Sequence, residues 1–378
     1  MVNASGLLGV VLLARHGDRL EFFQDPNTYT PTESYITPLG SVQEFQLGTY
    51  LRAQYLTPSS PSFIDGISTD LVDVNQLYVR ADAGGGGSVI LNSVAGLLQG
   101  LYPASEQSSI TLANGSAIVG PLSGYQYIPV HSVEPTLVPT LNSWTSCPAF
   151  DSHVAAFYSS SAFQEKAQEA APFLESLTPY VGGRSTNFTN MWNMYDFVNV
   201  QYVHNQTFYD TIPPAFPQIA SYYASFHEDG VFTDESPDGI GNIAARTLLP
   251  LAFAALQDIS DETNPLLISL IEISYKPFIS LFNVMEATLN GSDIFGIVDY
   301  AAAVALEVRD DSYGPRVSMM FKNGTSDIFH PVKLFGQQDL LVEELVERLA
   351  WSTVNTTQEW CHVCGQTTSV LGCSNYVQ

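Results

Sequence analysis

The sequence predicts an α/β fold: a three-layer core with a mainly parallel sheet flanked by helices, plus an inserted, mostly helical subdomain. Three observations carry that reading. A short apolar run over residues 7–14 stops abruptly at Arg15-His16-Gly17, as a buried parallel strand does where it opens into a loop. Strand-like and helix-like patterns then alternate, which is the order of an α/β sheet. Between about Cys147 and Asp258 the alternation gives way to helical patterns and aromatic clusters, and strand-like sequence resumes at Leu266.

The elements follow in order. Residues 21–34 are polar and turn-rich, a loop placed to roof the end of the first strand. Thr37 is an N-cap and Pro38 a first helical residue for a helix reaching Arg52. Residues 76–80 form a second short strand ending in Arg80, residues 88–101 a helix, and residues 127–133 a third strand. The glycines at 84–87 read as a flexible turn before the second helix; no Lys-Ser/Thr follows, so they are not a Walker loop. Met191, Trp192, Met194, Tyr195 and Phe197 mark the helical stretch, and a turn at 236–241 launches a helix over 242–257. Strands follow at 266–274, 300–309 and 317–322, then a last helix at 340–351 and a loop-like tail carrying cysteines. The expected division is an α/β core of residues 1–147 and 263–378 with a helical insertion at 148–262.

Composition narrows the function. Of 378 residues 45% are hydrophobic, enough for a sizeable core, and only 13% are charged, against roughly 25% in ordinary globular proteins. Thirty-eight acidic residues face 13 basic ones, a net charge of −25 that argues against nucleic acid or an anionic membrane as a partner. Asn-x-Ser/Thr sequons stand at Asn3, Asn114, Asn187, Asn205, Asn290, Asn323 and Asn355, the pattern of a secreted, N-glycosylated protein. The apolar run at 7–14 is too short to span a bilayer and lacks a basic flank, so the chain reads as the mature form of a secreted precursor. Cys147, Cys361, Cys364 and Cys373 are even in number and fit two disulfides in an oxidising compartment. Zinc needs four ligands; only Cys373 and His362 stand near Cys361 and Cys364, so no metal and no cofactor is expected. A low charged fraction with abundant Tyr and Phe fits glycan shielding, an aromatic-lined pocket or a dimer surface, so a monomer and a homodimer both stay open.

In a chain so poor in basic residues, Arg15-His16-Gly17-Asp18-Arg19 stands out. Two permanent cations disfavour the protonated form of the histidine between them, leaving a neutral imidazole nucleophile beside an anion trap. That chemistry suits a small anionic, phosphate-like substrate: guanidinium forks hold the oxygens while imidazole attacks phosphorus.

These residues resemble the Arg-His-Gly-x-Arg signature of the histidine acid phosphatases, within the histidine phosphatase (phosphoglycerate-mutase-like) superfamily. The stretch 36–52 is similar to the Leu-Thr-x-x-Gly-x-x-Gln…Leu-Gly helix that follows it. Val79-Arg80 running on to Gly100-Leu101-Tyr102-Pro103, the segment 128–133, and Cys147-Pro148 also match recurring family segments. The resemblance implies a hydrolase in which His16 becomes a phosphohistidine and Arg15, Arg19 and Arg80 clamp the phosphoryl oxygens. His131, closing a core strand near the expected site, is read from its position as supporting the arginines. The resemblance also implies disulfides Cys147–Cys361 and Cys364–Cys373.

One departure is serious. The family's downstream His-Asp pair, whose Asp protonates the leaving alcohol, is replaced by Tyr275 and Lys276, so the chain resembles a fungal-type, divergent member. A positioned general acid contributes about 10²–10⁴-fold, and Tyr275, Lys276, Asp18 and Glu21 are the candidate substitutes. His227-Glu228-Asp229 reads as structural, and His153, His204, His330 and His362 lack ligand-like spacing. Three readings stay open: a secreted acid phosphatase-like hydrolase with an atypical proton donor, the same fold diverted to another reaction on an anionic substrate, and a non-catalytic anion-binding protein.

Overall fold

The computed structural model describes residues 6–20, 35–84 and 89–376. Eight strands form one mixed sheet: β1 (Leu7–Arg15), β2 (Leu77–Asp82), β3 (Val130–Val133), β4 (Ile268–Ile273), β5 (Ala303–Arg309), β6 (Arg316–Lys322), β7 (His330–Val332) and β8 (Asp339–Leu341). Their order is β7-β6-β5-β1-β4-β2-β3, with β8 also on β6. From β3 through β2 and β4 to β1 every pairing is parallel, and β5 to β8 extend the sheet antiparallel. Arg15 pairs with Ile273 and Ala81 with Glu272, so β1, β4 and β2 finish level at their carboxyl ends. That end is where open α/β sheets bind ligands.

Side-chain alternation along β1 sorts the core into two layers. Val10, Leu12 and Ala14 pack under α1 (Pro38–Tyr55) and α2 (Val89–Leu101), while Val11 and Leu13 face α8 (Ile243–Ser260), α9 (Lys276–Val284) and α10 (Val342–Ala350). Thr37 caps α1 as expected, its hydroxyl accepting from the Gly40 amide at 3.1 Å. The α1–α2 crossing depends on glycine: a Cβ on Gly48 would lie 1.9 Å from the Leu97 carbonyl oxygen, and one on Gly100 2.2 Å from that of Phe45. The span Ile240–Ser260, which includes α8, is apolar and long enough to cross a membrane by length and composition, yet it is mostly buried, as a core helix is.

Five helices follow β3: α3 (Pro148–Ser159), α4 (Ser161–Leu177), α5 (Met191–His204), α6 (Gln206–Thr211) and α7 (Phe216–Phe232). They share an aromatic core that includes Phe163, Phe188, Met191, Met194 and Tyr223.

The tail corrects two expectations. Residues 357–364 form a helix, α11 (Thr357–Cys364), instead of a loop. Thr356 caps it by accepting from the Glu359 amide, Glu359 accepts from the Asn355 amide, and Gly365 ends it in the left-handed region. The helix also sets the disulfides. Cys364 lies beside the Ser143 carbonyl and bonds to Cys147, and Cys361, one turn earlier, bonds to Cys373. The pairing is therefore Cys147–Cys364 and Cys361–Cys373, the reverse of Cys147–Cys361 and Cys364–Cys373. Of the sequon asparagines, Asn3 lies outside the described residues and the other six are exposed.

Candidate active site

β1 delivers His16 to the carboxyl edge of the sheet, and Gly17 lets the chain turn there. A Cβ on Gly17 would stand 2.6 Å from the Gly40 carbonyl oxygen, and one on Gly40 2.3 Å from that of Asp18, so both positions need glycine for the close crossing. His16 is buried, and its Nδ1 lies 2.8 Å from the Gly17 carbonyl oxygen. A carbonyl only accepts, so Nδ1 carries the proton and Nε2 keeps its lone pair. Burial, then Arg15, then Arg19 hold the imidazole well below its ordinary 6.5. The neutral imidazole expected from the two arginines is thus present, with burial the larger cause.

The flanking cations are held apart by their surroundings. Arg15 donates to the Val298 carbonyl and lies 4.4 Å over the Tyr300 ring and 5.1 Å over that of Tyr275. Arg19 forks onto Asp196 at 2.9 and 3.1 Å and donates to the Leu20 carbonyl. Lys276 supplies a third cation, set 5.1 Å over the Trp144 ring and pushed down first by burial and then by Arg19, against the pull of Glu228.

These groups line a cavity of about 450 Å³. One wall is α5: Trp192, Tyr195, Asp196 and Asn199 recur three and four residues apart, share one helix face and line the cavity. Another is the end of β2. Asp82 there is 3% exposed, accepts from the Gly84 amide at 2.8 Å and from the Asn142 side chain, and is pushed by burial up to about 7. The arrangement offers a neutral nucleophile, three cations and a carboxyl group that holds its proton in acid.

No family model matches the sequence. Among curated proteins, bovine (Bos taurus) prostatic acid phosphatase is 27% identical over 54% of this chain and 50% of its own length. Mouse (Mus musculus) prostatic acid phosphatase is 25% identical over 98% of this chain and 92% of its own. In sequence the chain is thus similar to histidine acid phosphatases. Among solved structures, Klebsiella sp. phytase matches this chain with a TM-score of 0.64 at 12% identity, over 94% of this chain and 98% of its own, which shows a shared fold. Bifidobacterium longum multiple inositol polyphosphate phosphatase, solved in complex with phosphate, matches with a TM-score of 0.52 at 12% identity over 95% of both chains.

Several expected site residues lie elsewhere. Arg80 is not at the cavity. Two residues short of the end of β2, it points to the face opposite Val79 and Ala81, stacks on Tyr78 at 4.1 Å, and lines a separate cavity of about 310 Å³ beside Asp258. His131 is exposed on the edge strand β3 and stacks on Tyr78 at 4.6 Å, so it does not support the arginines. Asp18 is buried and does not line the cavity: the Thr37 hydroxyl donates to it and His204 Nε2 stands 2.7 Å away, which makes it a lock between the segment after β1, α1 and α5 instead of an acid. Glu21 and Gly85–Gly87 lie outside the described residues. Tyr275 does line the cavity, but its hydroxyl donates to Glu228 at 2.5 Å and burial, then Glu228, push it well above 10. Glu228 in turn receives His227 Nδ1 at 2.9 Å, so His227-Glu228 is a buried brace behind Tyr275, in keeping with its structural reading. Sequence reasoning missed Asp82, Asn142, Asp196 and Tyr300. The helical spacing of 192, 195, 196 and 199, and the strand-end position of Asp82, were the available signals.

Proposed function

We propose that the chain is a secreted phosphomonoester hydrolase of acid phosphatase type, working through a phosphohistidine at His16. The observation that carries this is the His16 imidazole, neutral, with Nδ1 tied to Gly17 and Nε2 left free between two guanidinium groups. A phosphoryl group held by Arg15, Arg19 and Lys276 meets Nε2 in line, and the cations hold the equatorial oxygens as charge spreads over them. Nε2 then leaves when water attacks the phosphohistidine. Arg15 and Arg19 keep the roles the sequence implied; Lys276 stands where Arg80 was expected, as the third cation. The phosphate complex of the B. longum relative supports an anionic substrate. Two disulfides and six exposed sequon asparagines support secretion and N-glycans.

The test is hydrolysis of para-nitrophenyl phosphate across the acid range, with His16→Ala alongside. We expect turnover in the native protein and a fall of about 10³-fold or more in the variant. Silence in both proteins, with inorganic phosphate still bound, would replace this reading with an anion-binding one.

A further inference from the structure

The family's proton-donor pair is absent from 275–276, yet the cavity holds another carboxyl group. Three carboxylates line it among the described residues: Asp196 is paired with Arg19, Asp299 is exposed, and Asp82 is buried with no cation at hydrogen-bond distance. We propose that Asp82 is the acid that protonates the leaving alcohol. This rests on the phosphohistidine reading above and goes beyond it.

Sheet geometry places the group. β4 separates β2 from β1, and the three strands end level, so Asp82 and His16 stand two strand spacings apart, about 10 Å between backbones. Lys276, following β4, comes between them in the row of strand ends, and Lys276 and Asp82 feel each other electrostatically. A phosphoryl group seated on Lys276 and Arg15 therefore has His16 on one side and Asp82 on the other, the in-line order the transfer needs. Asp82 is also pre-set. The Gly84 amide and the Asn142 side chain both donate to Oδ1, which leaves Oδ2 to carry the proton. Burial raises its carboxyl to about 7 against the Gly84 and Asn142 hydrogen bonds and Lys276, with Glu134 adding to the rise, so the acid form is held through the acid range.

The step balances. His16 Nε2 forms a bond to phosphorus, the bond from phosphorus to the ester oxygen breaks, and that oxygen keeps the electron pair and takes the Asp82 proton. In the second half the Asp82 carboxylate takes a proton from the attacking water. The N–P bond breaks, its electron pair returns to Nε2, and phosphate leaves.

Rates are measured on para-nitrophenyl phosphate, whose leaving group needs little protonation, and on β-glycerophosphate, whose alkoxide needs it. The proteins compared are wild type, Asp82→Asn and His16→Ala. We expect Asp82→Asn to cut β-glycerophosphate turnover by about 10²–10⁴-fold and the aryl ester by far less. The decline of alkyl-ester kcat as pH rises through about 7 should vanish in the variant. An equal loss on both esters, or His16-dependent aryl turnover with no alkyl turnover in wild type, would overturn the Asp82 role while leaving phosphohistidine intact. Turnover unchanged in His16→Ala would remove both. Should Asp82→Asn lose its native thermal transition, Asp82→Ser is read by the same ratio.

Discussion

His16 shows how one side chain's state is set by its immediate neighbours. The Gly17 carbonyl fixes the tautomer, and burial with Arg15 and Arg19 disfavours the proton on Nε2. The lowered pKa means that the His16 lone pair persists in acid where an exposed histidine would take up a proton. Nitrogen-detected NMR should show His16 still neutral, with the proton on Nδ1, at acid pH where an exposed histidine is already protonated; protonation with a midpoint near the ordinary value would contradict this. At the same scale, Asp18 was a candidate acid by its place in the sequence, but Thr37 and His204 occupy it.

At the scale of elements, the site is shared between the strand ends and α5. Asp196 reaches from α5 to Arg19, and His204 at the end of the same helix reaches Asp18, so the helical stretch is latched to the segment following β1 at two points. The tail helix α11 is tied back by Cys147–Cys364, across 217 residues of sequence. A cross-link over so long a loop restricts the unfolded chain strongly, so Cys147→Ser should lower stability by about 2–5 kcal/mol in chemical unfolding. A non-reducing peptide map should join the Cys147 and Cys364 peptides; a Cys147–Cys361 peptide would refute the pairing.

Over the whole molecule, the core encloses two carboxyl groups with no partner among the described residues. Glu44 on α1 and Glu272 on β4 are both fully buried, and burial raises both, with Glu272 adding to the rise at Glu44. The folded state thus keeps protons that the unfolded chain gives up above about pH 4.5. Stability from this pair is complete below that pH and is lost as pH rises toward the folded pKa. Glu272→Gln removes one titrating group with little change of shape. Urea unfolding should show wild type losing stability relative to the variant as pH rises from about 4.5 to 7; parallel curves would show that the pair does not titrate.

The sequence by itself determined the strands and helices of the core, the Arg15-His16-Arg19 cluster and the missing proton-donor pair. Those are local facts: apolar runs, caps and spacings act over a few residues, and each is written into the segment that uses it. The Thr356-x-x-Glu359 cap and the α5 face at 192, 195, 196 and 199 were local too and could have been read. Tertiary structure decided which groups meet. Arg80 left the cavity because a strand turns alternate residues to opposite faces and it stops short of the end, whereas Asp82 entered because β2 ends beside β4. The disulfide partners were chosen by which side of α11 each cysteine occupies and what packs there. The acid form of Asp82 comes from burial, which outweighs the hydrogen bonds from Gly84 and Asn142, and burial is made by segments far apart in sequence.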